Sequence, residues 1–551
     1  MKKNLLAFFL LFTFVFQTSA QTATKLKSPA RRAAEAITAE QLKDYLFYVA
    51  SDEMEGRDTP SRGLDLTAKF IALNLKKWGF KPAGDDGTFF QKIALRRDVV
   101  DEANTSIGID NQKLVYGEDL IRISGNSAGA MSAPVVYAGD GWMIKSKNLN
   151  PYQGIDVKGK YIAVYGEGVA SGRTVVPLPA GVTNADLSGN RGTDWDDVTG
   201  YARRNGAAGV IVPPSKFLLA NWGAVRQAFG RNSLYVEKLA QTSPATNSAP
   251  APSVFLSSQK FADTLFSGES VNPLSGAAKT SFDLSAAKKI DLNIALKPET
   301  VMTQNVVAIW EGSDPVLKSE MVAVGAHYDH VGTRPNAPGD KIWNGADDDG
   351  SGTVAVLAMA EALAKSPKRP KRSVLLVWHC GEEKGLWGSE YFNKFPTVDI
   401  KKVVAQLNID MIGRSRKAGD ENPKNKDLST ENEVYVIGSE MMSSKLGAIT
   451  KATNDTFLKL NYNYRYDDPK DENRFFFRSD HFNYAVNGIP IVFWFDGVHE
   501  DYHGAGDEPQ KIDYAKMERI ARTIFLTMWE LTDLKERPAV DKQLPPELSG
   551  K

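Results

Sequence analysis

Cysteine is all but absent from this 551-residue chain, in which Cys380 stands alone. A single thiol excludes an internal disulfide framework. Net charge is missing too, because 67 Lys and Arg balance 67 Asp and Glu. That removes the basic field needed for nucleic acid or an acidic membrane surface. No internal repeat is present, and beyond the first twenty residues no apolar run is long enough to cross a bilayer. Cys380 follows His379, but neighbouring residues on a strand point to opposite faces. The pair therefore cannot act as thiol and base, and Cys380 reads as a buried structural residue.

What is present is an ordinary apolar fraction of 42%, ample for a large core, in a chain longer than one typical domain. Residues 1–20 read as an export signal. Lys2-Lys3 form a charged start, Leu5 to Phe16 an apolar run, and Thr18-Ser19-Ala20 a small-residue cleavage site. The mature protein is then expected to be exported, periplasmic or secreted, with no remaining membrane span.

The stretch from Val322 to Glu383 organises the rest. Val322 to Ala326 and Val374 to Trp378 read as short buried strands. Between them Ser351 to Ala364 has a helical pattern, with Val354, Leu357, Ala358 and Ala362 on one face and Pro367 beyond its end. Strand, helix, strand implies parallel strands joined by a right-handed crossover. His327 and the pair Glu382-Glu383 then emerge at carboxyl ends of strands, where open α/β sheets place their chemistry. Val403 to Ile409 delivers Asp410 in the same way, and Ile489 to Phe495 leads to His503. Asp347 lies on the loop between the first two strands, in Gly345-Ala346-Asp347-Asp348-Asp349-Gly350. Imidazoles and carboxylates converging at one sheet edge repel or titrate abnormally unless a cation sits among them. Mixed nitrogen and oxygen donors suit zinc better than calcium or magnesium.

These residues resemble the co-catalytic di-zinc aminopeptidase family that includes glutamate carboxypeptidases of the prostate-membrane-antigen type. The resemblance extends from about residue 40 to 530. It implies two zinc ions per chain, His327 and Asp410 on one, Glu383 and His503 on the other, and Asp347 bridging them. It implies Glu382 as general base, Asp329 as the partner orienting His327, and Tyr502 as a donor to the developing oxyanion. It also implies a cis peptide after the bridging aspartate, hence at Asp347–Asp348. One departure is that many relatives follow the last histidine with Thr-Pro, where this chain has Gly504-Ala505-Gly506.

The implied fold is α/β, a mixed, largely parallel sheet sandwiched by helices, interrupted by a β-rich insert. Residues 21–132 and 284–535 form the peptidase domain, and 536–551 a disordered tail. From about 133 to 283 Gly, Pro, Ser and Ala become frequent among short strand-like runs, and this block resembles the protease-associated domain found in many relatives. Ala50 to Arg57 resembles the family's N-terminal segment, with its acidic residues expected to pair locally with Arg57. Asn461 to Arg478 either lines the substrate pocket or forms a solvated aromatic loop.

Two motifs compete. His499-Glu500-Asp501-Tyr502-His503 matches H-E-x-x-H, which needs a helix to bring both imidazoles to one ion. Gly504 and Gly506 leave no room for one, so only His503 is taken as a ligand. Gly125-Asn126-Ser127-Ala128-Gly129 matches the G-x-S-x-G nucleophile elbow, but a second strand rather than a helix is expected after it. The sequence thus points to an exported zinc exopeptidase acting on peptides, most simply an aminopeptidase. The alternatives are a carboxypeptidase or dipeptidase, glutaminyl-cyclase-like acyl transfer on one metal, and a non-catalytic binding protein that has lost its ligands.

Overall fold

Four apolar runs dominate the chain's second half, and each becomes a strand buried along its whole length: Met321–His327, Ser373–His379, Val403–Ile409 and Ile491–Phe495. Continuous burial on both faces is what a parallel sheet covered by helices requires. In the computed structural model, residues 28–543 are described except 126–127, 167–174, 224, 226–233, 243–251, 276–279, 287 and 469. The expected export signal, residues 1–20, therefore lies outside the described residues. The chain folds as two units, one comprising residues up to Ala94 and from Val301 onward, the other Leu95–Thr300.

In the first unit the four strands lie side by side in the order Ser373–His379, Met321–His327, Val403–Ile409, Ile491–Phe495, all parallel. Leu296–Trp310 joins one side antiparallel, through Val306 to Trp310. Glu433–Ile437 joins the other side antiparallel, followed by Asn461–Asn463. The sheet is therefore mixed with a parallel centre. Met321, Ala323, Leu375, Val377, Ile491 and Phe493 share one apolar cluster with Phe392 and Tyr484 from the helices Trp387–Lys394 and His481–Val486. Alternate strand residues face the other way, and the helices Gly352–Lys365 and Tyr514–Asp533 pack against the strands Met321–His327 and Val403–Ile409. Two further helices, Ala39–Val49 and Arg62–Lys77, start on Thr38 and Ser61, whose hydroxyls accept from Gln41 N at 3.2 Å and Leu64 N at 3.1 Å. Each such cap is worth about 1 kcal/mol. No helix among the described residues is long and apolar enough to cross a membrane.

The chain leaves this unit through the strand Phe90–Val100 and returns through Leu296–Trp310. The second unit thus begins before and ends after the 133–283 block marked by composition. Its main sheet runs Gln112–Leu114, Ser106–Ile109, Lys289–Ile294, Gly129–Tyr137, Tyr161–Ala163, Gly209–Val212, Ser253–Ser257, Leu120–Ser124. Ile107, Val135, Phe255, Phe261 and Ile290 belong to one of its apolar clusters, and Trp142, Ile162, Val198 and Val210 to another. Within it the helix Val198–Arg204 runs into the strand Gly209–Val212. At the other end of the chain, the described part of the expected disordered tail is anchored. Arg537 reaches Glu320 at 2.6 Å, Asp541 N donates to Met442 O at 3.0 Å, and Ser444 N donates to the Asp541 carboxylate at 2.8 Å. Polar residues there satisfy exposed backbone instead of leaving the surface.

His481 shows how far the first core excludes charge. It is fully buried, stacked on Phe493 at 4.6 Å between ring centres, and burial pulls its pKa down to about 3. The folded chain thus refuses a proton that the unfolded chain accepts below its ordinary pKa of about 6.5. This contribution to stability is complete above that value and declines as pH falls toward about 3. Each such group costs about 1.4 kcal/mol per pH unit across that window. His481→Phe is expected to flatten the decline of folding stability between about pH 6 and 4 by that slope, as read from denaturant melts across the range.

Candidate metal centre

His327 is the last residue of its strand, Glu382 and Glu383 lie just beyond theirs, and Asp410 directly follows Val403–Ile409. Because the strands are adjacent and parallel, these four side chains meet at one edge. His503 arrives from the loop after Ile491–Phe495, and Asp348 from the turn before the helix Gly352–Lys365.

Asp348 is the hub and is only 3% exposed. Its Oδ1 lies 3.4 Å from His327 Nε2, and its Oδ2 lies 3.2 Å from His503 Nε2 and 3.6 Å from His330 Nδ1. On one side Asp410 Oδ1 is 3.5 Å from His327 Nε2. On the other, Glu383 reaches His503 Nε2 at 2.9 Å and His330 Nδ1 at 3.0 Å. Glu382 Oε2 stands 4.0 Å from His327 Nε2. Of the expected residues, His327, Glu382, Glu383, Asp410 and His503 come together.

Asp347 does not join them, and the reading of it as the shared carboxylate is corrected by one residue. Its Oδ1 accepts from Gly413 N at 2.6 Å and its Oδ2 faces His499 Nε2 at 3.3 Å, while Asp348 occupies the shared position. The cis peptide moves with it, to Asp348–Asp349 in place of Asp347–Asp348. The cause is the turn's anchoring, since the Asp507 carboxylate accepts from both Asp347 N and Asp348 N at 3.0 and 3.1 Å. Asp329 also differs in detail. His327 Nδ1 is 3.2 Å from the Asp329 carbonyl oxygen and 3.6 Å from its Oδ1, and that Oδ1 accepts from Glu382 N at 3.2 Å. The Asp329 carboxylate therefore steadies the backbone of Glu382, and its carbonyl faces the imidazole.

Three supports were not read from the sequence. Arg57 is fully buried and, contrary to the expected local pairing, donates to the carbonyls of Tyr328, Val49, Asn344 and Gly345 at 2.6–3.0 Å. It thereby binds the His327 loop to the Asp348 turn. Ser479 donates to Asp410 Oδ2 at 2.6 Å. Asp349 comes within reach of His327 and Asp410, but its two oxygens accept from Gly352 N, Met411 N and His327 N, so it ties the turn to two strands. An arginine eight residues past a helix end and an Asp-Asp-Asp run carry no periodicity, which is why neither role was legible.

Electrostatics show what the cluster demands. Burial lowers the affinity of His503 for a proton, yet Asp348 and Glu383 carry its pKa up to about 10. Burial opposes ionisation of Asp348, but His327, His503 and His330 hold it well below the usual carboxylate range. Glu382 goes the other way: burial, with like charge from Asp410, Asp480 and Glu383, raises its carboxyl well above the usual range against the pull of His327. Positive charge is thus required at the hub. His330 Nδ1, Asp348 Oδ2 and Glu383 Oε1 are all buried and lack hydrogen-bond partners. Convergent, unpartnered donors of this kind fit a divalent cation with nitrogen and oxygen ligands.

Residues Glu500 to His503 form a turn, not a helix, and His499 faces Asp347 while His503 faces Asp348. The arrangement expected of H-E-x-x-H is therefore absent. In the other competing motif Asn126 and Ser127 lie outside the described residues, and the strand Gly129–Tyr137 begins directly after them. Cys380 is fully buried, and burial raises its thiol above the usual range. The hub residues His327, Asp348, Glu382 and Asp410 open onto a pocket whose wall is continued by Met411, Phe475, Phe493, Phe495 and Val498, with Arg478 and Tyr502. Of the two readings left open for Asn461 to Arg478, Phe475 and Arg478 follow the one that lines the pocket.

Residues 305–528, which carry every group of this cluster, match the family model described as peptidase family M28. The chain is similar to a probable leucine aminopeptidase of Arthroderma benhamiae, 29% identical over 226 residues, covering 39% of this chain and 56% of that protein. It is also similar to a probable zinc metalloprotease of Leptosphaeria maculans, 26% identical over 274 residues, covering 44% of this chain and 60% of that protein. The matches thus span little more than half the length of these curated relatives. Among solved structures, an aminopeptidase from Aneurinibacillus sp. strain AM-1 aligns over 94% of this chain and 98% of its own, at 16% identity and a TM-score of 0.48.

Proposed function

We propose that this protein is an exported, zinc-dependent exopeptidase of the M28 type, an aminopeptidase that binds two zinc ions and removes N-terminal residues from peptides. The observation that carries this reading is the hub. One buried carboxylate, Asp348, stands between His327 with Asp410 on one side and His503 with Glu383 on the other, within a segment matching a peptidase family model. His327, Asp348 and Asp410 would hold one ion, and Asp348, Glu383 and His503 the other. Export rests on the apolar run Leu5 to Phe16 behind Lys2-Lys3. In this reading the second unit is a protease-associated domain, as its residue composition supports.

Bound zinc would supply Lewis acidity, polarising the scissile carbonyl and acidifying a water. Glu382, whose carboxyl is already raised, takes the proton from the attacking water and returns it to the leaving amine. Tyr502 keeps its phenolic proton, because burial and the charges of Asp348 and Glu383 raise its pKa, and donates to the developing oxyanion. Apolar Met411, Phe475, Phe493 and Phe495 receive the side chain of the terminal residue.

A second reading, cleavage of dipeptides, is favoured by Arg478, a cation on the pocket wall held over the Phe475 ring at 4.9 Å. The test compares leucine anilide, its N-acetylated form, leucylglycine and leucylglycine amide. Aminopeptidase action is expected on all but the acetylated substrate. Activity confined to leucylglycine selects the dipeptidase, and hydrolysis of the acetylated substrate overturns both.

A further inference from the structure

The peptidase reading uses two imidazoles at the hub, yet a third is built into it. His330 is fully buried, with Nδ1 3.0 Å from Glu383 Oε1 and 3.6 Å from Asp348 Oδ2. Its ring stands edge-on to that of His503, 5.7 Å between centres. Among the described residues its Nε2 has no hydrogen-bond partner, and its Nδ1 contacts with these two oxygens do not have hydrogen-bond geometry. A buried imidazole left in that state loses its solvation without return, so a partner is called for.

The backbone makes the placement deliberate. His330 N donates to Arg57 O at 3.1 Å, which ties the residue to the same arginine that holds the Asp348 turn. The ring lies directly against Gly345, whose φ is +60°, and a Cβ there would stand 2.4 Å from His330 Cγ. The glycine thus leaves room for the ring exactly where it faces the hub, and any other residue would expel it.

Donors about 2.0–2.1 Å from a tetrahedral zinc stand about 3.3 Å from one another. Around the Glu383 side the separations are 3.0 and 3.6 Å from His330 Nδ1, and 2.9 and 3.2 Å from His503 Nε2. His330 therefore meets the same pair of carboxylates at the same spacing as His503. Around the Asp410 side the protein offers three residues, His327, Asp348 and Asp410.

We propose that His330 is a metal ligand, the fourth protein donor to the ion held by Asp348, Glu383 and His503. This rests on the two-metal peptidase reading and deepens it. The two positions then differ in kind. The one with four protein donors binds first and anchors the pair, whereas the one with three keeps coordination free for water and substrate.

The experiment uses the full mature chain, stripped of metal, labelled with ¹⁵N-histidine and titrated with ¹¹³Cd. With one equivalent bound, two imidazoles are expected to couple directly to cadmium, one through Nδ1 and one through Nε2. In His330→Ala a single Nε2 coupling remains, and the first-equivalent affinity in chelator competition falls about 10- to 100-fold. A residue that only hydrogen-bonds Glu383 would also weaken affinity, so the Nδ1 coupling decides, and it is read in the unmodified protein whether or not the variant folds. Wild-type protein that binds two cadmium ions with no Nδ1 coupling overturns the assignment and leaves the peptidase reading intact. Failure of the wild type to bind cadmium overturns the metal centre itself.

Discussion

Glu382→Gln is expected to keep its full complement of metal while kcat falls by about 10²- to 10⁴-fold, the usual scale for losing a positioned general base. The geometry separates this residue from its neighbour. Glu383 lies 2.9–3.0 Å from two imidazoles, whereas the nearest imidazole nitrogen to Glu382 is 4.0 Å away, at His327. Glutamine preserves size and can still accept a hydrogen bond, but it cannot take a proton. Its backbone should stay in place, because Glu382 N is held by the Asp329 carboxylate at 3.2 Å. KM should change little, since ground-state binding rests on the pocket and the cations. Glu383→Gln gives the contrast: metal and activity decline together, and excess zinc restores part of both. Metal analysis beside steady-state kinetics checks the pair. A Glu382→Gln protein that loses metal, or that stays fully active, would falsify the assignment.

The second large effect separates two adjacent aspartates. Asp348→Asn removes the one charge shared by both sides of the hub, and the variant is expected to lose both ions and at least about 10³-fold in kcat/KM, corresponding to several kcal/mol of charge stabilisation. Asp347→Asn should retain metal, because its carboxylate faces Gly413 N and His499 away from the shared position. Its cost is in stability, about 1–3 kcal/mol for a buried partner left imperfectly satisfied. Metal content, kcat/KM and a denaturant melt on both variants distinguish the outcomes. Loss of metal from Asp347→Asn with retention in Asp348→Asn would return the bridging role to the residue first read from the sequence.

Much of this protein is legible without coordinates. The runs 321–327, 373–379, 403–409 and 491–495 announce themselves as buried strands because burial on both faces demands uninterrupted apolar residues. Their carboxyl ends then carry His327, Glu382, Glu383 and Asp410, since a strand's end is a local property of its sequence, whereas the order that sets those ends side by side is seen in the fold. His503 could be separated from His499 because the glycines at 504 and 506 exclude the helix that would unite them. What only the tertiary structure decided is which side chain turns inward where the backbone has no period. Asp347, Asp348 and Asp349 are chemically identical neighbours in an irregular turn. Their three directions are set by Asp507, Gly413 and Met411, whose partners lie 62 to 160 residues away along the chain. His330 depends in the same way on the space above Gly345, and Arg57 on carbonyls as distant as that of Gly345 itself. Strand ends follow from nearest neighbours in sequence, but the inward turn of a loop residue is chosen by contacts that exist only after the sheet has assembled.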